Sequence, residues 1–145
     1  MRRYSRLLWF LTIIYWCGIF YLTHLPGPKL PLVPLQDKTQ HFLAYGALGG
    51  LLYLSLWSIS PTRRDLVFWV LVIGMAYGAI DEWTQALPIF HRYCEFADWC
   101  ADCAGLSTAA VGMTVIRRLF TRTPPDPEPH GFEVLFQTKI PDSPR

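Results

Sequence analysis

The sequence has little charge and almost no bias of sign. Thirteen Lys and Arg stand against eleven Asp and Glu, a formal net charge of +2 over 145 residues. That balance leaves no basic footprint for nucleic acid. Polar faces are missing as well: the fifteen residues of Leu66–Ile80 hold no charged side chain, whereas a helix packed in water shows polar positions with a period of 3.6. No internal repeat is evident. Arg2, Arg3 and Arg6 precede the first apolar run, but no small-x-small cleavage motif follows it, so the run reads as a retained helix and not a removed signal. His91, Cys94, Cys100 and Cys103 match no common zinc spacing. A zinc site is therefore the weakest reading, behind a disulfide of Cys94 with Cys100 or Cys103 on an oxidising side and plain packing as small apolar thiols.

What the chain does have is apolar length. Hydrophobic residues make up 52% of it, and six Trp and seven Tyr suit membrane interfaces. Leu7–Thr23, His41–Trp57, Leu66–Leu87 and Asp98–Ile116 are each about 17–22 residues, enough to cross a bilayer as a helix. The expected fold is all-α, a four-helix transmembrane bundle over residues 1–122, followed by a disordered, Pro-rich tail over 123–145. Arg2, Arg3, Arg6, Arg63, Arg64, Arg117, Arg118 and Arg122 fall on one side of such a bundle, and Lys29, Lys38 and Arg92 on the other. The positive-inside rule then puts both termini in the cytoplasm and the loops 24–40 and 88–97 outside. Pro28, Pro31 and Pro34 predict an extended first outer loop.

Against this apolar background the acidic residues stand out. A charge at the centre of a membrane helix costs about 2.5–3.5 kcal/mol on insertion scales and is usually functional. Asp81 and Glu82 close the third span, about fifteen residues or roughly 22 Å from its cytoplasmic start. Tyr77, Asp81 and Gln85 share one helical face, Asp37, His41 and Tyr45 another, and Asp98 and Asp102 a third, which Glu95 could extend. All of these, with Lys38 and Arg92, map to the outward ends, and no comparable acidic set maps to the inward ends. One outward-opening polar pocket at the outer-leaflet side would give each a partner. The plainer reading is a salt-bridge cluster that ties helices together.

The residues also resemble a known family. Thr23-His24-Leu25-Pro26, Asp37-Lys38-x-x-His41-Phe42-x-x-Tyr45, Tyr77-Gly78-x-x-Asp81-Glu82-x-x-Gln85, Arg92 and Asp98-x-x-x-Asp102-x-x-Gly105 occur in order over about residues 7–117. In this the chain resembles the VanZ-like family of small bacterial integral membrane proteins. The resemblance implies a place in the bacterial cytoplasmic membrane and a link to the cell envelope and to glycopeptide antibiotic resistance. It also implies an activity like that of lipid-headgroup enzymes, and it raises the standing of His24, otherwise an interfacial capping residue. Asp102 stands where the family often has Asn, which suits a positioning role.

Three functions follow as expectations. The first is an enzyme acting on a lipid-linked phosphoester, either a polyprenyl-phosphate cell-wall carrier or a phospholipid headgroup, at the outer leaflet. Its catalytic set would be His41, Asp81, Glu82 and Asp98, with His41 as general base or nucleophile. Lys38 and Arg92 would clamp phosphate oxygens, Tyr45, Gln85 and His24 would complete the substrate side, and Asp37, Tyr77 and Asp102 would support it. Asp81, Glu82, Asp98 and Asp102 would hold a divalent cation, for which oxygen ligands favour Mg²⁺, Ca²⁺ or Mn²⁺. The second is a non-catalytic binder of a cell-wall precursor or glycopeptide. The third, a small ion or proton-coupled transporter, would need polar groups in both halves of the bundle, which the inner halves lack.

Overall fold

In the computed structural model the described residues are 3–24, 34–89 and 94–120, with side chains described from 4, 37 and 94 onward in those three stretches. They form four α-helices: α1 Arg3–Thr23, α2 Pro34–Ile59, α3 Leu66–Gln85 and α4 Phe96–Phe120. No strand occurs among the described residues. All four helices are long and apolar enough to cross a membrane. Arg92, the residues around it and the 123–145 tail lie outside the described residues.

The helices run past the apolar spans at their polar ends. Pro34 corrects the sequence expectation: it is not loop but the first residue of α2. Proline suits that position, because its fixed φ fits the helix and its missing N–H would have had no partner there anyway. The whole Asp37–His41–Tyr45 row is therefore helical, while Pro28 and Pro31 lie outside the described residues.

Large apolar side chains cover the outside. Phe10, Ile13, Phe68, Val72, Val111 and Leu119 are all exposed. Patches of this extent are rare on soluble monomers and match a hydrocarbon surroundings. The interior is narrow, since α2 and α4 form the closest pair and Tyr45, Leu48, Leu52, Val70, Leu106 and Ala110 are fully buried. Small residues permit the approach. A Cβ on Gly49 would lie 3.2 Å from the Ala109 Cβ, and one on Gly46 would lie 3.6 Å from the Gly105 carbonyl oxygen.

Hydrogen bonds stitch α1 to α2. Thr12 and Ser55 share a buried bond of 2.9 Å, Ser5 donates to the Ser58 carbonyl at 3.1 Å, and Tyr15 donates to the Ala44 carbonyl at 3.1 Å. At the same end Arg117 of α4 donates to the carbonyls of Arg63 and Pro61 at 3.0 and 2.6 Å. Its guanidinium also sits 5.9 Å from the Trp57 ring centre. The start of α1, the α2–α3 turn and the end of α4 thus share one end of the bundle. Asp65 in that turn accepts from Trp69 Nε1 and Arg63 Nε, each at 2.7 Å. Desolvation pushes its carboxyl up, but these hydrogen bonds outweigh it and hold the group below its ordinary value.

Arg117→Ala should lower stability by about 1–2 kcal/mol, because two carbonyls lose a charged donor. Thermal unfolding in detergent micelles would show it as a lower midpoint. An unchanged midpoint would mean that water replaces the guanidinium at no cost.

Candidate functional site: a buried polar cluster at one end of the bundle

The opposite end collects the polar groups. His24, His41, Asp81, Glu82, Gln85, Asp98 and Asp102 are all buried there, with Asp81 and Asp102 fully so. The periodicity of each helix explains the grouping. Residues four apart project from one face, so α2 presents Asp37, His41 and Tyr45, α3 presents Gly78, Asp81, Glu82 and Gln85, and α4 presents Asp98 and Asp102.

The cluster has two halves. On the α4 side His41 Nδ1 lies 3.0 Å from Asp102 Oδ1 and 4.0 Å from Glu82 Oε1. Glu82 Oε2 accepts from the Glu95 backbone N–H at 3.1 Å, which fixes the carboxylate across the α3–α4 connection. Glu82 Oε1 and Asp102 Oδ2 have no hydrogen-bond partner among the described residues. A Cβ on Gly78 would lie 3.3 Å from Asp102 Oδ2, so this glycine leaves room for the carboxylate.

On the α1 side Asp81 turns away from His41. Its carboxylate accepts from Thr23 Oγ1 at 3.1 Å, Gln85 Nε2 at 3.1 Å and Tyr45 Oη at 3.3 Å. His24 Nδ1 stands 3.7 Å from Asp81 Oδ1 and donates to the Phe20 carbonyl at 2.8 Å, and His24 Nε2 lies 2.9 Å from Thr84 Oγ1. His24 therefore fastens the end of α1 to α3. Tyr77 packs its ring edge-on to Trp16 at 4.9 Å and stacks with Tyr45 at 5.9 Å.

Lys38 is engaged at the rim. Its ammonium donates to Glu95 at 3.0 Å and to Asp98 at 2.5 Å. Among the described residues two sets of side chains stand close enough to share a cation: His41, Glu82 and Asp102, all buried, and Asp37, His41 and Asp98, of which Asp37 is half-buried. Both contain His41 and neither contains Asp81. The structure therefore distributes the four expected carboxylate ligands differently from the sequence reading, since Asp81 faces hydroxyl and amide donors and an imidazole takes its place. Two members of the network carry no acid–base signal: Thr84 was missed by sequence reasoning, and Thr23 was singled out only as part of the Thr23-His24-Leu25-Pro26 motif, with no role. Only their helical spacing from Phe20, Ile80 and Asp81 could have pointed to them.

Beside the cluster a cleft of about 420 Å³ opens between α1 and α2. Ile14, Gly18, Ile19, Leu22 and Ala44 line its apolar length, and Thr23, Asp37, Gln40 and His41 line its polar end. Cys17, Cys94, Cys100 and Cys103 are all free.

Fold and cluster together define, over the described residues, an all-helical protein with four helices fit to span a membrane and buried ionisable groups at one end. No family model, curated protein or solved structure matches it.

Proposed function

We propose that the chain is a multi-pass protein of the bacterial cytoplasmic membrane, VanZ-like in type, that acts on the phosphoester of a membrane lipid at the outer leaflet. The substrate class is a polyprenyl-phosphate cell-wall carrier or a phospholipid. The observation that carries this reading is the junction of two surfaces at His41. A buried set of ionisable groups meets the polar end of an apolar cleft, which is the shape of an amphiphile. The basic residues Arg63, Arg64, Arg117 and Arg118 sit at the other end of the bundle, which supports cytoplasmic termini and an outward-facing cluster.

The electrostatics narrow the chemistry. Around Asp37, Asp81, Glu82, Glu95, Asp98 and Asp102 the basic side chains among the described residues are Lys38 and the imidazoles of His24 and His41. A phosphate meeting these carboxylates in ionised form is repelled unless a cation joins them. A bound cation would neutralise phosphate oxygens and stabilise charge that develops during displacement. Proton transfer falls to the His41–Glu82–Asp102 set, in which one carboxylate fixes the imidazole and a second stands beside it. The alternative role for the cluster, tying helices together, is met by the Asp81 half, where Thr23, His24 and Tyr45 bond across to Asp81 and Thr84 of α3.

The test uses the purified full chain in lipid nanodiscs with labelled polyprenyl phosphates and phospholipids. Headgroup release or exchange is expected, lost with EDTA, and lowered at least about a hundredfold by His41→Ala, the range for removing an acid–base group. Headgroup binding without turnover on any of these lipids would overturn the enzyme reading and leave a binding protein. Loss of thermal stability alone in His41→Ala would leave only a structural cluster.

A further inference from the structure

We infer that His41, Glu82 and Asp102 form a binding site for a first-row divalent transition-metal ion, with His41 Nδ1, Glu82 Oε1 and one Asp102 oxygen as its protein ligands. The inference rests on the proposed function only in placing the chemistry at this set.

The geometry comes first. Metal–ligand bonds of about 2.1 Å at tetrahedral angles put ligand atoms roughly 3.4 Å apart. Nδ1 stands 3.0 Å from Asp102 Oδ1 and 4.0 Å from Glu82 Oε1, which brackets that spacing. Each of these two spacings differs from the ideal by a few tenths of an ångström, and all three ligand atoms lie within 4.8 Å of one another.

Burial gives a second, independent reason. Glu82 is 3% exposed and Asp102 is fully buried, yet Glu82 Oε1 and Asp102 Oδ2 lack hydrogen-bond partners among the described residues. A buried carboxylate oxygen with no donor is costly, and buried charges are normally paired or coordinate metal. The Glu82 atom without a donor is the one turned toward His41, while its other oxygen is anchored by the Glu95 N–H. That anchor aims the ligand from outside the site, as outer hydrogen bonds do for metal-binding carboxylates.

The alternative set, Asp37, His41 and Asp98, is weaker on both counts. Asp98 Oδ1 is already held by Lys38 at 2.5 Å, and Asp37 is half-buried. An ion there would displace an ammonium from a carboxylate, whereas an ion at Glu82 fills a gap.

The imidazole decides the class of metal. Carboxylates alone suit Mg²⁺ and Ca²⁺, but a nitrogen ligand shifts preference toward Mn²⁺, Fe²⁺, Co²⁺ and Zn²⁺, with affinity for such a site rising from Mn²⁺ to Zn²⁺. Binding requires Nδ1 without its proton. With the ion bound His41, Glu82 and Asp102 are all ligands, and proton transfer needs a group outside the three. Three protein ligands leave positions open for water or a phosphate oxygen.

Mn²⁺ is the probe, added to the full chain in nanodiscs with no substrate lipid. Electron paramagnetic resonance counts bound ions, and its pulsed form detects the nitrogen of a coordinated imidazole. One Mn²⁺ per chain is expected, with nitrogen coupling, displaced by Zn²⁺ at lower concentration than by Mg²⁺. Glu82→Gln and Asp102→Asn should each weaken binding at least about tenfold, since even outer contacts of metal sites are worth 10–100-fold, while Asp37→Asn and Asp81→Asn stay within about threefold of the parent chain. Absence of stoichiometric binding or of nitrogen coupling in the unmutated chain overturns the inference. So does unchanged binding in folded Glu82→Gln, an equal loss in folded Asp37→Asn, or displacement by Mg²⁺ as readily as by Zn²⁺. If the ligand variants do not fold, the nitrogen coupling and Zn²⁺ displacement of the unmutated chain still decide. Because no lipid is turned over, failure of the enzyme reading leaves this result untouched, and failure here leaves the other set, Asp37, His41 and Asp98, to hold the cation that turnover needs.

Discussion

Gly105→Ala is expected to destroy the fold's central packing. A Cβ at this position would overlap the Phe42 carbonyl oxygen and lie 2.9 Å from the Gly46 backbone nitrogen. Both obstacles are backbone, so no side-chain rotation relieves them. The only escape is for α2 and α4, the closest pair in the bundle, to move apart. Overpacking of this kind costs about 3 kcal/mol or more, and it acts beside the site, because Phe42 follows His41 and Asp102 lies one turn before Gly105. The variant should show a large loss of folded, monodisperse protein in detergent, and any folded fraction should lose the 3.0 Å His41–Asp102 pairing. A melting temperature equal to that of the parent would refute the α2–α4 contact as described. Two other glycines provide the contrast. A Cβ on Gly112 meets nothing within 4 Å, and the three atoms nearest to one on Gly74 belong to the Leu106 side chain and not to backbone. Ala at the first should be neutral or stabilising by the roughly 0.5–1 kcal/mol that Gly costs a helix, and at the second it should cost far less than at Gly105.

Gly18→Phe has the opposite profile, with stability kept and lipid use lost. Gly18 lines the α1–α2 cleft, and a Cβ there meets nothing within 4 Å. The new ring therefore has space, and that space is the cleft itself. If a hydrocarbon chain of the substrate lies there, Phe should reduce turnover of long-chain lipids at least about tenfold, equivalent to about 1.4 kcal/mol. A water-soluble analogue with the same headgroup and no chain should react as before. Thermal unfolding checks that the helix is intact. Equal loss on both substrates would place the damage at the polar cluster, and no loss on either would remove the cleft from the function.

The comparison of sequence and structure turns on a few residues. The four helices were legible because an apolar run of crossing length needs no tertiary information: in hydrocarbon every backbone N–H and C=O must bond within its own segment. The polar ends were not, since there the hydrophobic signal stops before the helix does. Pro34 shows this. Read as loop because proline lacks an N–H, it opens α2, where that lack does no harm. Helical spacing likewise gathered Asp37 with His41 and Asp98 with Asp102, but could not say how the faces are rotated about each axis. Asp81 and Glu82 are adjacent, so they point about 100° apart on one helix. The sequence treats them as a pair, yet one is bound by Thr23, Tyr45 and Gln85 and the other faces His41. Lys38, expected to clamp phosphate, stands between Glu95 and Asp98.

By itself, then, the order of residues determined that four helices form and that carboxylates, imidazoles and one lysine gather at one end of them. Both are properties of period and length, which a single helix already possesses. Which carboxylate meets which imidazole was decided only when α2 and α4 closed over Gly46 and Gly105. That contact sets the rotation of α2 and α4, and the roughly 100° between neighbours on α3 separates a hydrogen bond to Thr23 from a place beside His41.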